Sequence, residues 1–244
     1  MRPQAEAVEV TRNLTLRGGN AAFWVARERE ILVEGPRGTG KTRTILEFLN
    51  VLCQDFPGLA VLIVRKYQRT LASTCLRTLG EQVLHNGDGV SFYGGSENEP
   101  ASYRYHNGSR IVTGGMDNAD KVKSSEYDIV YANEVTELGE DDWESLLPLL
   151  RHLKDGTRLI EAQRIIGDCN PADSGHWANR RCEAGKTRRI ITTLRDNPAY
   201  YDDAGALTDA GEAYLQTLTS LTGSRRERWL EGRWTGVENA IYPM

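Results

Sequence analysis

Unbroken apolar runs alternate along this chain with segments whose apolar side chains recur every three or four positions. An unbroken run is typical of a parallel strand covered on both faces, whereas the longer spacing is typical of an amphipathic helix. The predicted strands cover residues 31–34, 59–64, 128–132, 164–167 and 190–194, and the predicted helices cover 41–53, 68–84, 141–152 and the segment from Leu207 onward. This order predicts an α/β fold with a mainly parallel sheet and helices on both faces.

The middle of the chain follows a different pattern. Residues 102–106 and 110–113 are two short strand-like segments joined by Asn107-Gly108-Ser109. Because Asn-Gly tolerates the positive φ that tight turns need, the pattern predicts a β-hairpin. The preceding segment, 86–100, is rich in Gly, Asn, Asp and Ser, which predicts a loop.

Composition narrows the class of protein. The 244 residues are 39% apolar and 26% charged, as is typical of a soluble domain, and no apolar stretch approaches the roughly 20 residues that cross a bilayer. We therefore expect a cytoplasmic protein without a membrane partner. A formal net charge of −4 is unlike a basic nucleic-acid coat protein, so any DNA contact needs a local basic face or a ring of subunits. The four scattered cysteines support neither a zinc site nor a disulfide framework.

The strongest chemical signal lies between the first strand and the first helix. Residues 35–42 fit the G-x-x-x-x-G-K-[ST] motif of P-loop NTPases. Such a loop turns its N–H groups toward phosphate oxygens, its lysine reaches the β- and γ-phosphates, and its last hydroxyl binds Mg²⁺. The predicted nucleotide-binding residues are Gly35, Pro36, Arg37, Gly38, Thr39, Gly40, Lys41, Thr42 and Arg43. The predicted cofactors are ATP and Mg²⁺, and this motif places the chain among RecA-like P-loop folds.

A second apolar strand, 128–132, ends in Asn133 and Glu134. At this position a P-loop enzyme holds the water shell of magnesium and activates the attacking water, so we predict Glu134 as the general base or water-orienting group. Asp128, at the start of the strand, is the alternative. Asn133 stands where an aspartate is usual; it can accept a hydrogen bond from a magnesium-bound water but carries no charge. Thr42, Asn133 and Glu134 are the predicted metal-site residues.

Further candidates follow the next strand and the hairpin. Asn170 lies in the polar turn that follows the predicted strand 164–167. It is predicted to sense the γ-phosphate, with Asp168 positioning it. The structural alternative is an Asx turn before proline. Arginine spreads transition-state charge on phosphoryl oxygens, so Arg37, Lys41 and Arg104 join Glu134 as predicted catalytic residues. For Arg104 the alternatives are a neighbouring subunit's site and solvent.

Segments spanning nearly the whole chain resemble the N-terminal ATPase domain of the large terminase subunit of tailed bacteriophages. They are residues 16–20, 35–42, 105–111, 121–128, 133–138 with Trp143, 167–171 and 230–234. The phosphate loop alone is shared by many NTPases, but the Asn133-Glu134-Val135-Thr136-Glu137-Leu138 tract followed by a tryptophan is much more specific.

The resemblance implies an ATP-driven motor that packages double-stranded DNA into a viral capsid. It implies a homo-oligomeric ring when assembled, with a monomer as one possibility in isolation. The implied partners are a portal protein and a small terminase subunit, and the implied location is the host cytoplasm. It also implies an arginine donated between subunits, for which Arg104 is the nearest match by position.

The resemblance also suggests a division of the chain. Residues 1–206 are predicted as the P-loop ATPase core, and residues 207–244 as a helical segment and linker toward a nuclease domain. Because the chain stops at residues 241–244, about where that domain begins in the family, we expect no nuclease activity.

Two alternatives to a packaging motor remain open. A helicase- or recombination-type ATPase shares the phosphate loop and the acidic strand, although a single RecA-like core is unlike a two-core helicase. The second alternative is a regulatory module that binds ATP without hydrolysing it. It stays open because Asn133 replaces the acidic residue that is usual at the end of this strand.

Overall fold

A single sheet of eight strands runs through residues 14–236, the part of the chain that the computed structural model describes, apart from the side chains of Asp120 and Lys121. The strands are β1 (Glu30–Glu34), β2 (Ala60–Arg65), β3 (Val90–Tyr93), β4 (Ser102–Tyr105), β5 (Arg110–Gly115), β6 (Ile129–Ala132), β7 (Arg164–Cys169) and β8 (Arg188–Ile191). The chain start before residue 14 and the predicted linker end at 241–244 lie outside the described residues.

Helices connect the strands. They are α1 (Gly18–Val25), α2 (Lys41–Asp55), α3 (Gln68–Ala72), α4 (Cys75–Thr78), α5 (Asp120–Lys123), α6 (Glu140–Leu146), α7 (Trp177–Glu183), α8 (Asp209–Thr219) and α9 (Gly223–Trp229). Short 3-10 helices occupy Met116–Asn118, Val135–Glu137, Leu147–Leu149 and Leu194–Asp196, and a π-helical turn spans Leu79–Val83. None of the helices within residues 14–236 has the length and apolar character needed to cross a membrane.

The strand order is β3-β4-β5-β2-β6-β7-β1-β8. The six strands from β5 to β8 run parallel, whereas β3 and β4 add antiparallel pairs at one edge. This arrangement confirms the predicted α/β class, and the β4–β5 pair confirms the predicted hairpin. Because the six strands are parallel, their carboxyl ends lie along one edge of the sheet, where ligands bind in open α/β folds.

Each face of the sheet is covered by its own apolar cluster. On β1, Ile31 and Val33 pack in one cluster with Phe48 of α2, while Leu32 packs on the opposite face with Trp143 of α6. Successive strand side chains point to opposite faces, so a strand covered on both sides is apolar throughout. The unbroken apolar runs in the sequence therefore correspond to strands that are buried on both faces of the sheet.

Two predicted helices end early for local reasons. The 141–152 helix stops at Leu146 and gives way to a 3-10 turn, since Pro148 has no N–H and cannot continue a helix interior. The 68–84 helix breaks into α3, α4 and the π turn. At the break, the Thr74 hydroxyl donates to the Thr70 carbonyl oxygen at 2.7 Å and accepts from Arg65 at 2.9 Å, a side-chain alternative to regular helix bonding.

Other boundaries also differ from the prediction. The predicted loop 86–100 contains β3, an exposed edge strand whose apolar signal is weak. The predicted strand 190–194 lies earlier, at Arg188–Ile191, because Thr193 and Asp196 form a capping box for the following 3-10 helix. Helices α1, α5 and α7 were not predicted. Helices α8 and α9 fall within the predicted C-terminal helical segment, whose division from the core stays a prediction.

Truncating Trp143 tests the face that supports β7. Trp143 is 1% exposed and its indole nitrogen donates to Glu30 at 2.9 Å, so Trp143→Ala leaves a cavity and removes one donor from a carboxylate that still accepts from Arg181 and Thr187. We expect a loss of about 3–5 kcal/mol in the free energy of unfolding, measured by urea titration. Leu153→Ala, at a side chain that is 50% exposed, is the control and should change it by less than about 0.5 kcal/mol. Equal losses in both variants would contradict this assignment.

Candidate nucleotide-binding site

The carboxyl ends of β1, β6 and β7, three strands of the parallel region, enclose one cleft. A cavity of about 340 Å³ is lined by Arg37, Gly38, Thr39, Gly40, Lys41, Thr42, Arg43, Thr78, Gln82, Glu134, Asp168, Cys169 and Asn170. The predicted phosphate loop, the predicted general base and the predicted sensor thus meet in one place. Thr78 and Gln82 come from α4 and the π turn, and sequence patterns did not single them out.

The phosphate loop has the backbone that its glycines allow. Gly38 and Gly40 have φ values of 83° and 85°, in the left-handed region that glycine adopts most readily. Gly40 is the residue before α2, and Thr44 N donates to its carbonyl oxygen at 2.9 Å, so the helix begins directly at Lys41. The N–H groups of the first helical turn therefore face the cavity side of the loop, where an anion is stabilised.

Three side chains from outside the motif hold the loop in shape. The Thr39 and Thr192 hydroxyls are 2.8 Å apart, and the Thr192 hydroxyl donates to the Glu34 carbonyl oxygen at 3.0 Å. The amide of Asn20 donates to the Thr39 carbonyl oxygen at 2.8 Å, and that of Asn197 to the Gly38 carbonyl oxygen at 2.6 Å. Sequence patterns missed these supports, although the segment 16–20 contributed to the family resemblance.

Lys41 is folded back onto its own loop. Its ammonium group donates to the carbonyl oxygens of Gly35 and Pro36 at 3.0 and 2.8 Å, and to Asn170 Oδ1 at 3.2 Å. Burial lowers the pKa of this amine, against the opposing effect of Asp168 and other nearby anions. Asn170, predicted as a phosphate sensor, is therefore in direct contact with Lys41, the lysine predicted to bind phosphate.

Asp168 lies at the centre of a polar network behind the cavity. Thr42 Oγ1 donates to Asp168 Oδ2 at 2.5 Å, and Asp168 Oδ1 accepts from Asn133 Nδ2 and from the Glu134 backbone nitrogen, both at 3.0 Å. Asp168 is only 2% exposed. A buried carboxylate requires such donors, since burial of an unpaired charge is costly. Sequence analysis gave Asp168 only a supporting role beside Asn170.

Glu134 combines an uncommon backbone with a perturbed acid. Its φ and ψ are 55° and 61°, the left-handed conformation that non-glycine residues seldom adopt and that occurs often at functional sites. Burial and the neighbouring Asp168 carboxylate raise the pKa of Glu134 from 4.5 to about 7, against the opposing charges of Arg65 and Lys41. A carboxylate with that pKa can accept a proton near neutral pH.

Asp128, the alternative acid, lies at the other end of the strand. Its side chain is fully buried and accepts from the Ala60 backbone nitrogen at 3.0 Å and from Gln163 at 3.2 Å; His152 is 2.7 Å away. It does not line the cavity. These contacts favour a structural role for Asp128 at the amino end of β6.

The predicted arginines are placed differently. The Arg37 guanidinium stacks 3.8 Å from the centroid of the Trp229 ring, and Arg43 lies 3.6 Å from Glu47. Arg104 pairs with Glu99 at 2.6 Å and stacks on Tyr93 at the edge hairpin. Three strand spacings separate β4 from β6, the nearest strand that ends at the cavity, about 14 Å at 4.8 Å each. Arg104 is also in register with Arg110 at the amino end of β5, opposite the carboxyl ends, so it does not line the cavity of its own chain.

The oxygen donors around Thr42 fit a magnesium ion. Thr42, Asp168 and Glu134 offer a hydroxyl and two carboxylates, and Asn133 Oδ1 is buried without a protein partner. Magnesium prefers oxygen ligands and usually keeps several waters and phosphate oxygens. Over residues 14–236, apart from the two undescribed side chains, no group of three or more His, Cys, Asp and Glu residues could hold a metal alone. The donor set therefore suits an ion that enters with a nucleotide.

Comparison with known proteins identifies relatives of this arrangement. The model of the phage terminase large subunit family matches residues 27–216. No curated protein matches the chain. The fold is similar to the large terminase of a thermophilic bacteriophage, with a TM-score of 0.70, 15% identity and coverage of 93% of this chain and 55% of that one. The chain therefore spans about half the length of that relative.

Two further solved structures share the fold. The same phage's large terminase in complex with ATPγS has a TM-score of 0.66 at 13% identity, covering 90% of this chain and 53% of that one. The large terminase ATPase domain of Thermus phage P74-26 has a TM-score of 0.57 at 12% identity, covering 90% of this chain and 94% of that one.

Removing the Thr192 hydroxyl tests the support of the phosphate loop. Thr192→Val leaves Thr39 without its buried partner, so we expect a loss of about 1–3 kcal/mol in the free energy of unfolding and weaker binding of ADP. Denaturant titration and isothermal titration calorimetry measure the two effects. Thr217→Val, at an exposed position of α8, is the matched control and should leave both near the native values. Native ADP affinity in Thr192→Val would show that this hydroxyl does not shape the loop.

Proposed function

The chain belongs to the phage terminase large subunit family, and we propose that it is an ATPase that drives double-stranded DNA into a viral capsid. The carrying observation is the meeting of Lys41, Thr42, Glu134 and Asn170 around one cavity at the carboxyl ends of adjacent parallel strands. A phosphate loop, an acid and a polar sensor are the parts that phosphoryl transfer to water requires.

The phosphate loop, Lys41, Thr42 and Asn170 have separate proposed tasks. The loop 35–42 and Lys41 bind the β- and γ-phosphates, and Thr42 holds Mg²⁺ together with the side chains at the end of β6. The ion, when bound, neutralises charge that develops on the phosphate oxygens. Lys41 exchanges its contacts with the loop carbonyls and Asn170 for phosphate oxygens, so Asn170 is released or re-paired when nucleotide enters.

Glu134 is the proposed group that receives a proton from, or orients, the attacking water. Its carboxyl lines the cavity, and its pKa near 7 gives it a basicity that suits this task. The left-handed backbone of Glu134 is held by the bond from its N–H to Asp168. Because the backbone of Glu134 is held in place, its side chain leaves the backbone in a defined direction relative to the phosphates.

The nucleotide and the motor are proposed on different grounds. The related phage terminase was solved with ATPγS and with ADP, which supports adenine nucleotides as ligands here. Translocation of double-stranded DNA, contacts with a portal protein and a small terminase subunit, and location in the host cytoplasm at the procapsid are proposed from family membership. No observation favours the helicase-type alternative.

A ring of subunits is proposed to complete the site. Arg37 is engaged with Trp229, and Arg104 lies three strand spacings, about 14 Å, from the nearest strand that ends at the cavity. Arg104 is half-exposed on β4, the strand next to the edge strand β3, and its proposed reach is toward the cavity of a neighbouring subunit after its pair with Glu99 opens.

Neutralising Glu134 tests the hydrolysis proposal. Glu134→Gln should keep ADP binding but lower ATP turnover by about 100-fold or more, a size typical of losing general-base assistance. Steady-state phosphate release and ADP titration measure the two quantities. Glu126→Gln, whose acid pairs with Arg151 outside the cavity, is the control and should turn over ATP at the native rate. Undiminished turnover in Glu134→Gln would refute the assigned role, and tight binding without turnover in the native chain would favour the switch alternative.

The inter-subunit proposal predicts that specific activity depends on assembly. Turnover per subunit should rise with protein concentration or on addition of double-stranded DNA, and Arg104→Ala should remove most of the rise while leaving ADP affinity unchanged. The control is Arg151→Ala, an exposed arginine paired with Glu126. Constant specific activity from dilute to concentrated protein, equal in native and Arg104→Ala, would remove Arg104 from the mechanism.

A further inference from the structure

We propose that Asp168 on β7 supplies the carboxylate of the magnesium site. Asn133, which follows β6, stands where an aspartate is usual and carries no charge, so the negative charge of the site lies on the neighbouring strand instead. The inference rests on the proposed Mg²⁺-nucleotide function. It assigns the negative charge of the site to a residue that the sequence pattern placed only beside Asn170.

The orientation of the Asn133 amide follows from its neighbour. An ionised carboxylate only accepts hydrogen bonds, so the group that Asn133 directs at Asp168 Oδ1 is its NH₂, at 3.0 Å. The same NH₂ contacts the Tyr131 hydroxyl at 3.2 Å. Asn133 Oδ1 is left buried and without a protein partner in a residue that is 2% exposed. That oxygen has an unused capacity to accept a hydrogen bond, although Asn133 lies behind the residues that line the cavity.

Thr42 connects Asp168 to the phosphate loop. A hydroxyl has one hydrogen and two lone pairs, so Thr42 can donate to Asp168 Oδ2, as it does at 2.5 Å, and still offer its oxygen to an ion. The carboxylate that contacts the magnesium-binding hydroxyl is therefore the one on β7. Neither Asn133 nor Glu134 has a hydrogen bond with Thr42 among the described contacts.

One carboxylate and one amide suit this geometry better than two carboxylates. The Asn133 amide donates to Asp168 at 3.0 Å, whereas a carboxylate at 133 would place two acceptors of like charge at about that distance. The asparagine at 133 is thus the partner that Asp168 requires, rather than a loss of the site. The two positions behave as an exchangeable pair across adjacent strands, Ala132 being in register with Gly167.

Exchanging the two residues tests the pair. The variants are Asp168→Asn, Asn133→Asp and the double variant Asn133→Asp/Asp168→Asn, with Asp173→Asn as control because Asp173 accepts from Gly175 N outside the cavity. The measurement is the affinity for a fluorescent ADP analogue, with Mg²⁺ and with EDTA, and thermal unfolding reports whether each variant is folded. Electron paramagnetic resonance of Mn²⁺ in the presence of ADP gives metal binding directly.

We expect Mg²⁺ to tighten ADP binding in the native chain and in the control. Asp168→Asn should reduce that tightening by about 10–100-fold, the size typical of losing a group that supports a metal site, while affinity in EDTA stays native because the phosphate loop is intact. The double variant should recover most of the tightening, since it restores one carboxylate and one amide. Asn133→Asp should lower the melting temperature in EDTA and regain it with Mg²⁺.

Native tightening in Asp168→Asn would overturn the proposal, as would a folded double variant that binds Mn²⁺ no better than Asp168→Asn. Should Asp168→Asn fail to fold, the double variant decides alone: metal-dependent tightening supports the exchange and its absence overturns it. Failure of the underlying function looks different, because the native chain itself would then bind ADP equally with Mg²⁺ and EDTA, or not at all.

Discussion

The insertion of β7 between β1 and β6 is the constraint on which the rest of the site depends. It brings the acid-bearing end of β7 directly beside the phosphate loop that follows β1 and beside the end of β6. The close packing there leaves no room for a side chain at Gly167, since a Cβ would lie 2.4 Å from Val135 and 3.0 Å from Trp143. Consecutive residues of β7 thus belong to different environments: Gly167 packs against apolar side chains, and Asp168 belongs to the polar network beside the cavity.

The same constraint explains why the polar residues act as a group. Asp168 orders the Thr42 hydroxyl, the Asn133 amide and the Glu134 backbone in one network. Buried networks of this kind are strong when every member is satisfied and costly when one is removed. The first turn of α2, the Glu134 backbone and the Asn133 amide are therefore held in one geometry by a single carboxylate.

The C-terminal segment is in direct contact with the phosphate loop. Trp229 stacks on Arg37 and accepts from its backbone nitrogen at 3.2 Å, and the Trp234 indole donates to Glu34 at 2.9 Å. Gly232 lies so close to Pro36 that a Cβ would be 2.7 Å from it. Residues just before and within the loop therefore share their packing with α9 and the segment after it. Trp234 packs against an apolar cluster of the core, whereas Trp229 packs on the phosphate loop.

The sequence by itself determined the α/β class, most strands, helix α2, the hairpin and the phosphate loop, because these depend on short-range periodicity and on a motif whose spacing is its chemistry. It also pointed to Glu134 and Asn170, which both line the cavity, since each follows an apolar run. The interruption at Pro148 was readable in principle, whereas the break at Thr74 required knowing where Arg65 lies. Only the tertiary structure decided that Asp168 faces Thr42, that Thr192 and Asn197 support the loop, and that Arg104 lies far from its own cavity. Strand order and side-chain pairing across 126 to 159 residues of chain set those contacts, and no local pattern encodes them.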